Sequence, residues 1–372
     1  MTSEAITIAN ASDISGPQPG IFESAQQAVE AYVAYANSQG GVCGRKLNLI
    51  GYDSRTDAGG DQQATTQACE RAFALVGSMA AFDSGGARTA QSCGIPDLRA
   101  AAVTPGRQDS RVTYGTNSTK VNLFAAAVPD YFRSRFGGAT KKAAFLYLNA
   151  GTAAINGRSI MRAHEQRGFT WIYKQAVDVT DFNYAPYVVE MKQQGIRFVE
   201  FMGTHQHAVR LAKAMRQQGF RPDAFVLDPT SYDERYVRTG GSAVDGTYVF
   251  INSALFEEAS SNREMRLYLS WLNKVAPGAT PTWFGLFAWS AAKLFVRLAG
   301  EIGADLTREK LLAKVRGVHA WTADGLHAPH DVGAKRTSPC VAFIQLRNGK
   351  WVRRAPARGW TCGALLNSGI GG

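Results

Sequence analysis

The 372-residue sequence lacks the signatures of most common catalytic chemistries. There is no G-x-x-x-x-G-K-S/T phosphate loop, no G-x-S-x-G nucleophile elbow and no H-E-x-x-H metal pair, which argues against a P-loop nucleotidase, a serine hydrolase of that type and a zinc protease. The first strand-like run is followed by "NASDISGPQPG", which lacks the G-x-G-x-x-G spacing that brings a pyrophosphate to a helix N-terminus. Cysteine is scarce: the five residues at 43, 69, 93, 340 and 362 form no C-x-x-C and show no Cys/His ligand spacing, so a zinc site is not expected. No apolar run approaches the ~20 residues of a membrane span.

What is present describes a globular chain. With 45% hydrophobic and 19% charged residues, it is long enough to outgrow a single core, and two lobes are expected. The net charge of +11 is spread along the chain; its densest run, "KWVRRAPAR", lies beside a C-terminal hairpin pattern. A basic solvated surface accounts for that distribution, and no nucleic-acid partner is expected. The opening "MTSEAITIAN" has neither the basic start nor the apolar core of a signal peptide, so the protein is either cytosolic or without its leader here.

Strand-like and helix-like patterns alternate with short joints. "AITIA", "KLNLIGYD", "FALVG" and "IPDLRAA" read as strands, and "ESAQQAVEAYVAYANSQ" and "QQATTQACERA" as helices, the first closed by Gly40 and Gly41 and the second capped by Asp57 or Asp61. After "TYGTNSTK", read as a polar connection, a second series begins with "AAFLYLN" and runs through three more strands, with helices ending at Gly168, Gly195 and Gly219. Then come "GTYVFINS", two amphipathic helices near 262–275 and 283–300, a polar stretch and the hairpin. The pattern predicts an α/β fold of two doubly wound lobes, with ligands at the carboxyl ends of strands in a cleft between the lobes. The expected boundaries are 1–117 with 251–330 for lobe 1 and 118–250 with 331–372 for lobe 2.

Cys340 opens the hairpin and Cys362 follows its return arm, so one disulfide is expected there; a second pair among Cys43, Cys69 and Cys93 would leave one thiol over. Free buried cysteines are the alternative, and bridges would place the protein outside the cytoplasm. Asp53 ends a strand in "GYDSRTD", where capping is the expected role. In "GTHQH" the spacing of His205 and His207 points the two rings apart on a regular backbone, so His205 is read as a hydrogen-bonding group at a strand end. No cofactor and no metal are expected.

"SGPQPG" after the first strand, the stretch "AVEAYVAYANSQGGVCGRKLNLIGYDSRTD", then "AFALVG" and "GIPDL", resemble the N-terminal lobe of type I periplasmic binding proteins, in the leucine/isoleucine/valine- and amide-binding group that serves ABC transporters. The likeness continues in element order through the second lobe. It implies two Rossmann-like lobes joined by a hinge that close on a small molecule, a monomer, a membrane permease as partner, and a periplasmic or lipid-anchored cell-surface location.

The resemblance also implies contact positions. In lobe 1 these are Gln18, the bend Phe82, Asp83 and Ser84 as a hand for the ligand's polar head, and backbone groups of Ala101, Ala102 and Val103. In lobe 2, Asn149 and Ala154 stand where the amino-acid binders have an aromatic residue, Thr204 where they have a tyrosine, with His205 beside it. Asp228 or Thr230 stands near their ammonium-binding carboxylate, an imperfect match that weakens an α-amino-acid ligand. Tyr232, Trp283 and Phe284 are candidates to stack on a ring. The function so implied is solute binding for an ABC importer, the ligand being a small organic molecule with a carboxylate or amide and an apolar or aromatic part. A ligand-sensing receptor is the alternative, and an enzyme using Asp53, Asp83 or His205 is a more distant one.

Overall fold

The computed structural model describes residues 2–371. The chain divides into two compact units: unit 1 is Met1–Lys120 with Glu258–Ser338, and unit 2 is Val121–Glu257 with Pro339–Gly372.

Unit 1 begins with β1 (Ala5–Ser12), α1 (Glu23–Ser38), β2 (Lys46–Asp53), α2 (Ala58–Arg71), β3 (Ala74–Val76), α3 (Ala87–Cys93), β4 (Asp97–Ala101), α4 (Pro105–Gln108) and β5 (Thr113–Asn117). The five strands are parallel in the order β2-β1-β3-β4-β5, so the winding reverses between β1 and β3. β3 and β4 are buried throughout, as expected of strands covered on both faces. α1 buries Ala25, Ala28, Val29, Tyr32, Val33 and Ala36, a stripe at helical spacing, and α2 is capped by Asp57, whose side chain accepts from the Gly60 amide at 2.8 Å.

One expectation is corrected here. Residues 113–117 of "TYGTNSTK" form a fully buried strand, β5, not a connection. Their hydroxyls find partners distant in sequence: Thr113 donates to Asp97 at 3.0 Å and Thr116 to the Phe287 carbonyl at 2.8 Å, which removes the cost of burying them.

Unit 2 follows with β6 (Leu123–Ala125), α5 (Ala127–Phe136), β7 (Ala143–Leu148), α6 (Gly151–Glu165), β8 (Trp171–Val177), α7 (Ala185–Gln193), β9 (Phe198–Met202), α8 (His205–Gln217), β10 (Ala224–Leu227), α9 (Glu234–Gly240) and β11 (Tyr248–Ile251). The chain then returns to unit 1 for α10 (Arg263–Val275), α11 (Trp283–Ile302) and α12 (Arg308–Val315). It ends in unit 2 with β12 (Cys340–Arg347), β13 (Lys350–Ala355), β14 (Thr361–Cys362) and β15 (Leu365–Asn367). The large sheet runs β13-β12-β11-β10-β9-β7-β8, with β7 to β11 parallel and the β12–β13 hairpin antiparallel. Its faces carry two apolar layers, one around Leu146, Val199 and Leu227 and one around Phe145, Phe198 and Tyr248.

α11 is the central buried helix of unit 1. Thr282 caps it by accepting from the Gly285 amide at 3.1 Å, and its Trp289 donates to Glu264 of α10 at 2.8 Å. Disulfides join Cys69 to Cys93 and Cys340 to Cys362; Cys43 is free and exposed. Among the described residues no helix is long and apolar enough to cross a membrane.

Candidate functional site

In doubly wound sheets the loops at the carboxyl ends of the strands, near the point where the winding reverses, form the binding face. In unit 1 those loops are tied together by two aspartates, Asp13, which is buried, and Asp53, which is exposed. Asp13, after β1, is buried and accepts from Ser54 Oγ at 2.6 Å, the Thr56 amide at 2.9 Å and the Ala81 amide at 2.8 Å, linking the loops after β1, β2 and β3. Burial pushes its carboxyl above the usual aspartate value against these hydrogen bonds. Asp53 accepts from the amides of Ile14 at 3.0 Å, Ser15 at 3.1 Å and Arg55 at 2.8 Å. Burial pushes its carboxyl up, but the bonds from Ser15, Arg55 and Ile14 outweigh that and hold it below the usual value. It caps a turn, and its second oxygen accepts from the Ser15 hydroxyl.

Asp83, expected as part of a hand for the ligand, serves as an internal brace in this structure. It is 0% exposed, and its carboxylate accepts from the Val103 amide at 2.8 Å, the Thr104 amide at 3.0 Å and the Thr104 hydroxyl. Arg99 Nη2 stands 3.9 Å behind it. Arg99 also meets Asp97 at 3.2 Å, Arg107 meets Asp97 at 3.3 Å and Asp61 at 3.8 Å, and Asp61 accepts from the Gly86 amide at 2.7 Å. This buried cluster of three carboxylates and two guanidiniums underlies the turn 82–86 and the loop after β4. Burial pushes Asp83 up in pKa, with Arg99 the main opposing charge. The turn itself needs glycine: a Cβ on Gly85 would lie 1.9 Å from the Ala58 carbonyl oxygen.

The neighbouring candidates separate into surface and interior. Ser84 is exposed, and Phe82 and Gln18 are half-buried. The backbone groups expected to be offered at 101–103 are engaged within unit 1: Ala101 O accepts from Arg99 at 3.1 Å, Ala102 O from Gln108 at 3.0 Å, and the Val103 amide serves Asp83. Trp283 and Phe284 are buried among aromatic neighbours. Phe284 packs edge-on against Phe22 at 4.6 Å and Trp283 against Phe287 at 4.8 Å.

In unit 2 the same strand ends carry Asn149, which is exposed, and Ala154, half-buried in the first turns of α6. Thr204 occupies the N-cap of α8 but makes no capping bond; it is 9% exposed, and its hydroxyl is buried without a partner. His205 Nδ1 lies 3.8 Å from Asp233, and burial outweighs that carboxylate and lowers its pKa to about 4. His207 faces elsewhere, its Nδ1 2.6 Å from the Tyr184 hydroxyl. Asp228 takes the Thr230 hydroxyl at 2.7 Å, and burial pushes its carboxyl to about 7 despite hydrogen bonds from Thr230 and Gly203. Like Asp83, it braces adjoining loops. Tyr232 is 1% exposed, stacks on Phe256 at 4.9 Å and donates to Glu257 at 2.7 Å.

Sequence reasoning missed Asp13, Arg99 and Arg107. It also missed Glu200, buried on β9 with its Oε2 3.4 Å from His164 Nε2. Burial drives Glu200 well above the usual carboxyl value, with Asp228 adding to the shift. A charged residue inside an apolar strand pattern, "IRFVEFMG", was the available signal.

The chain matches a known family. Its model, described as periplasmic binding protein, covers residues 5–350. The chain belongs to that family. Solved structures of similar fold include a fatty acid ABC transporter substrate-binding protein from Thermomonospora curvata, 19% identical, with TM-score 0.83 over 98% of this chain and 94% of that one. The leucine-binding protein LivK from Thermotoga maritima is 15% identical, with TM-score 0.78 over 98% of this chain and 99% of that one. The substrate-binding protein LivJ from Streptococcus pneumoniae, solved with isoleucine, is 14% identical, with TM-score 0.78 over 94% of this chain and 100% of that one. At these identities the likeness is one of fold, the type I periplasmic binding protein fold. No curated protein matches the chain by sequence.

Proposed function

We propose that this chain is the extracytoplasmic solute-binding component of an ABC importer. It takes a small organic ligand, with a carboxylate or amide and an apolar or aromatic part, by closure of its two units. The lobes for this reading are the two units, and the ligand meets the carboxyl ends of both sheets. Ser84, Phe82 and Gln18 are the unit 1 candidates for contact; Asn149, Ala154, Thr204, His205 and Thr230 are those of unit 2.

The observation that carries the reading is the bracing of these loops. Asp13 and Asp83 in unit 1 and Asp228 in unit 2 take up hydroxyls and amides of the strand-end loops, so that these carboxylates shape the binding face from within. Such a surface binds and releases; its closure is driven by contacts made better in the closed state than in the open one. Membership of the periplasmic binding protein family and the two disulfides support an extracytoplasmic location and a permease as partner.

The test is to denature the purified protein, identify any released small molecule by mass spectrometry, and titrate acids, amides and amino acids against the melting temperature. A true ligand stabilises by about 2.7 kcal/mol at a hundredfold excess over Kd. Recovery of a chemically altered compound would point to catalysis and sink the proposal.

A further inference from the structure

The chain first leaves unit 1 at Lys120 and enters unit 2 at Val121, and its backbone is held on each side of that joint. Within unit 2 the Val121 carbonyl accepts from Ser159 Oγ at 2.6 Å and the Asn122 carbonyl from the Ser368 amide at 2.9 Å. Within unit 1 the Lys120 amide donates to Thr337 Oγ1 at 2.7 Å, the Thr119 hydroxyl to the Ala102 carbonyl at 3.2 Å, and the Ser118 amide to His330 Nδ1 at 3.1 Å. The first two of these unit 1 holds involve no titrating group. The third is an imidazole.

A backbone N–H only donates, so the ring nitrogen facing Ser118 must keep its lone pair, and His330 must be neutral with its proton on Nε2. The ring is buried, and its residue is fixed by a reciprocal pair of backbone hydrogen bonds with Trp321, each 2.9 Å. Ser118 is 3% exposed, so its amide cannot exchange this acceptor for water without opening. His327 faces His330 with ring centroids 5.2 Å apart, and Phe287 of α11 lies against both rings, at 4.7 Å and 5.6 Å. The partners of His327 fix its neutral form as well: Nδ1 donates to the Ala328 carbonyl at 2.9 Å and Nε2 accepts from the Ser290 hydroxyl at 2.8 Å, while Ser290 takes the Trp321 indole N–H at 2.9 Å. The charged groups nearby in the chain have partners of their own. Asp331 meets His319 at 2.6 Å and Arg336 at 3.9 Å, Lys335 reaches the Gln108 and Ser110 carbonyls, and Lys120 pairs with Asp109. Burial, with the facing His327, drives the His330 pKa well below the ordinary histidine value.

We infer that His330 is a proton-operated pin on the segment by which the chain leaves unit 1: neutral, it holds the Ser118 amide, and protonated it gives that amide up. Protonation places an N–H where Ser118 needs a lone pair, and the contact turns repulsive. Thr337 still holds Lys120, so the release is confined to the residues before it. The pin operates whatever the protein binds. For a chain that closes its two units on a ligand, a consequence that rests on the function proposed above, acid lengthens the stretch of unit 1 free to bend at the joint.

The experiment is residue-resolved amide hydrogen exchange of the full chain between about pH 7 and about pH 4, with each rate referred to that of an unstructured peptide at the same pH. As pH falls, Ser118 is expected to lose protection about tenfold relative to Lys120, the scale of one hydrogen bond. In the His330→Asn variant, whose side-chain oxygen accepts and does not titrate, the ratio between the two amides is expected to stay level. The wild-type ring gives a second readout that needs no variant. Its nitrogen chemical shifts should place the proton on Nε2 at neutral pH and show double protonation over the range in which Ser118 opens. A proton on Nδ1 at neutral pH, equal loss of protection at Ser118 and Lys120, undiminished protection of Ser118 in acid, or the same acid loss in His330→Asn each overturns the inference.

Discussion

The carboxylate of Asp83, in the turn after β3, accepts the amide of Val103, in the loop after β4, at 2.8 Å, with Arg99 3.9 Å away and both charged groups fully buried. Removing the acid therefore does more than delete one hydrogen bond. The Asp83→Ala variant leaves the amides of Val103 and Thr104 without an acceptor and the Arg99 charge with one counter-ion fewer. A loss of about 3–5 kcal/mol in urea unfolding is expected. A loss below about 1 kcal/mol, the scale of an exposed ion pair, would show that the brace is solvated in solution.

Asp228 makes stability depend on pH in a definite direction. Its folded pKa is raised to about 7 from 3.8, mainly by burial, so its contribution is fully present below 3.8 and is lost as pH rises through about 7. The Asp228→Asn variant keeps an oxygen for the Thr230 hydroxyl and does not titrate. Relative to that variant, wild type is expected to gain about 4 kcal/mol between about pH 8 and about pH 4, read as the difference between two chemical-denaturation series. A pH-independent difference would mean that the carboxylate is hydrated.

His164 acts in the opposite sense. It is buried, its Nδ1 is 2.9 Å from the Ile160 carbonyl, and burial lowers its folded pKa to about 4. The neutral ring is favoured in the fold, so this contribution is present above 6.5 and is lost as pH falls through about 4. The His164→Gln variant retains a donor for Ile160 and should lose about 3 kcal/mol less than wild type on acidification across that window. Parallel acid-unfolding curves for the two proteins would contradict the burial of a neutral imidazole.

The two disulfides close sequence separations of 24 and 22 residues, Cys69 to Cys93 at the ends of α2 and α3 and Cys340 to Cys362 across β12 and β14. Each should contribute about 3 kcal/mol by restricting the unfolded chain. Reduction is expected to lower the melting temperature. Without reductant or denaturant, alkylation followed by peptide mass analysis should label Cys43 alone; labelling at any other cysteine would contradict the pairing.

Much of the architecture is legible from local pattern. The helix over "ESAQQAVEAYVAYANSQ" and its stop at Gly40 and Gly41 follow from side-chain period and backbone freedom, both carried within a few residues. The pairing of Cys340 with Cys362 follows from their places on a hairpin and its return arm. The order of alternating elements, with the motifs of the first lobe, was enough to place the chain in its family.

The sequence by itself determined the alternation of strand and helix, the positions of the turns and the class of fold, because those depend on periodicity and on residues next to one another. Only the tertiary structure decided what the polar side chains do. Asp83 and Asp228 have the composition of ligand groups, yet each closes on a nearby loop; β5 has the composition of a loop, yet Thr113 and Thr116 are satisfied by Asp97 and Phe287. A carboxylate or hydroxyl binds whichever donor or acceptor the packed fold delivers within about 3 Å. Asp13 finds Ala81 and Thr116 finds Phe287 across long separations in the chain, and no local pattern records that distance.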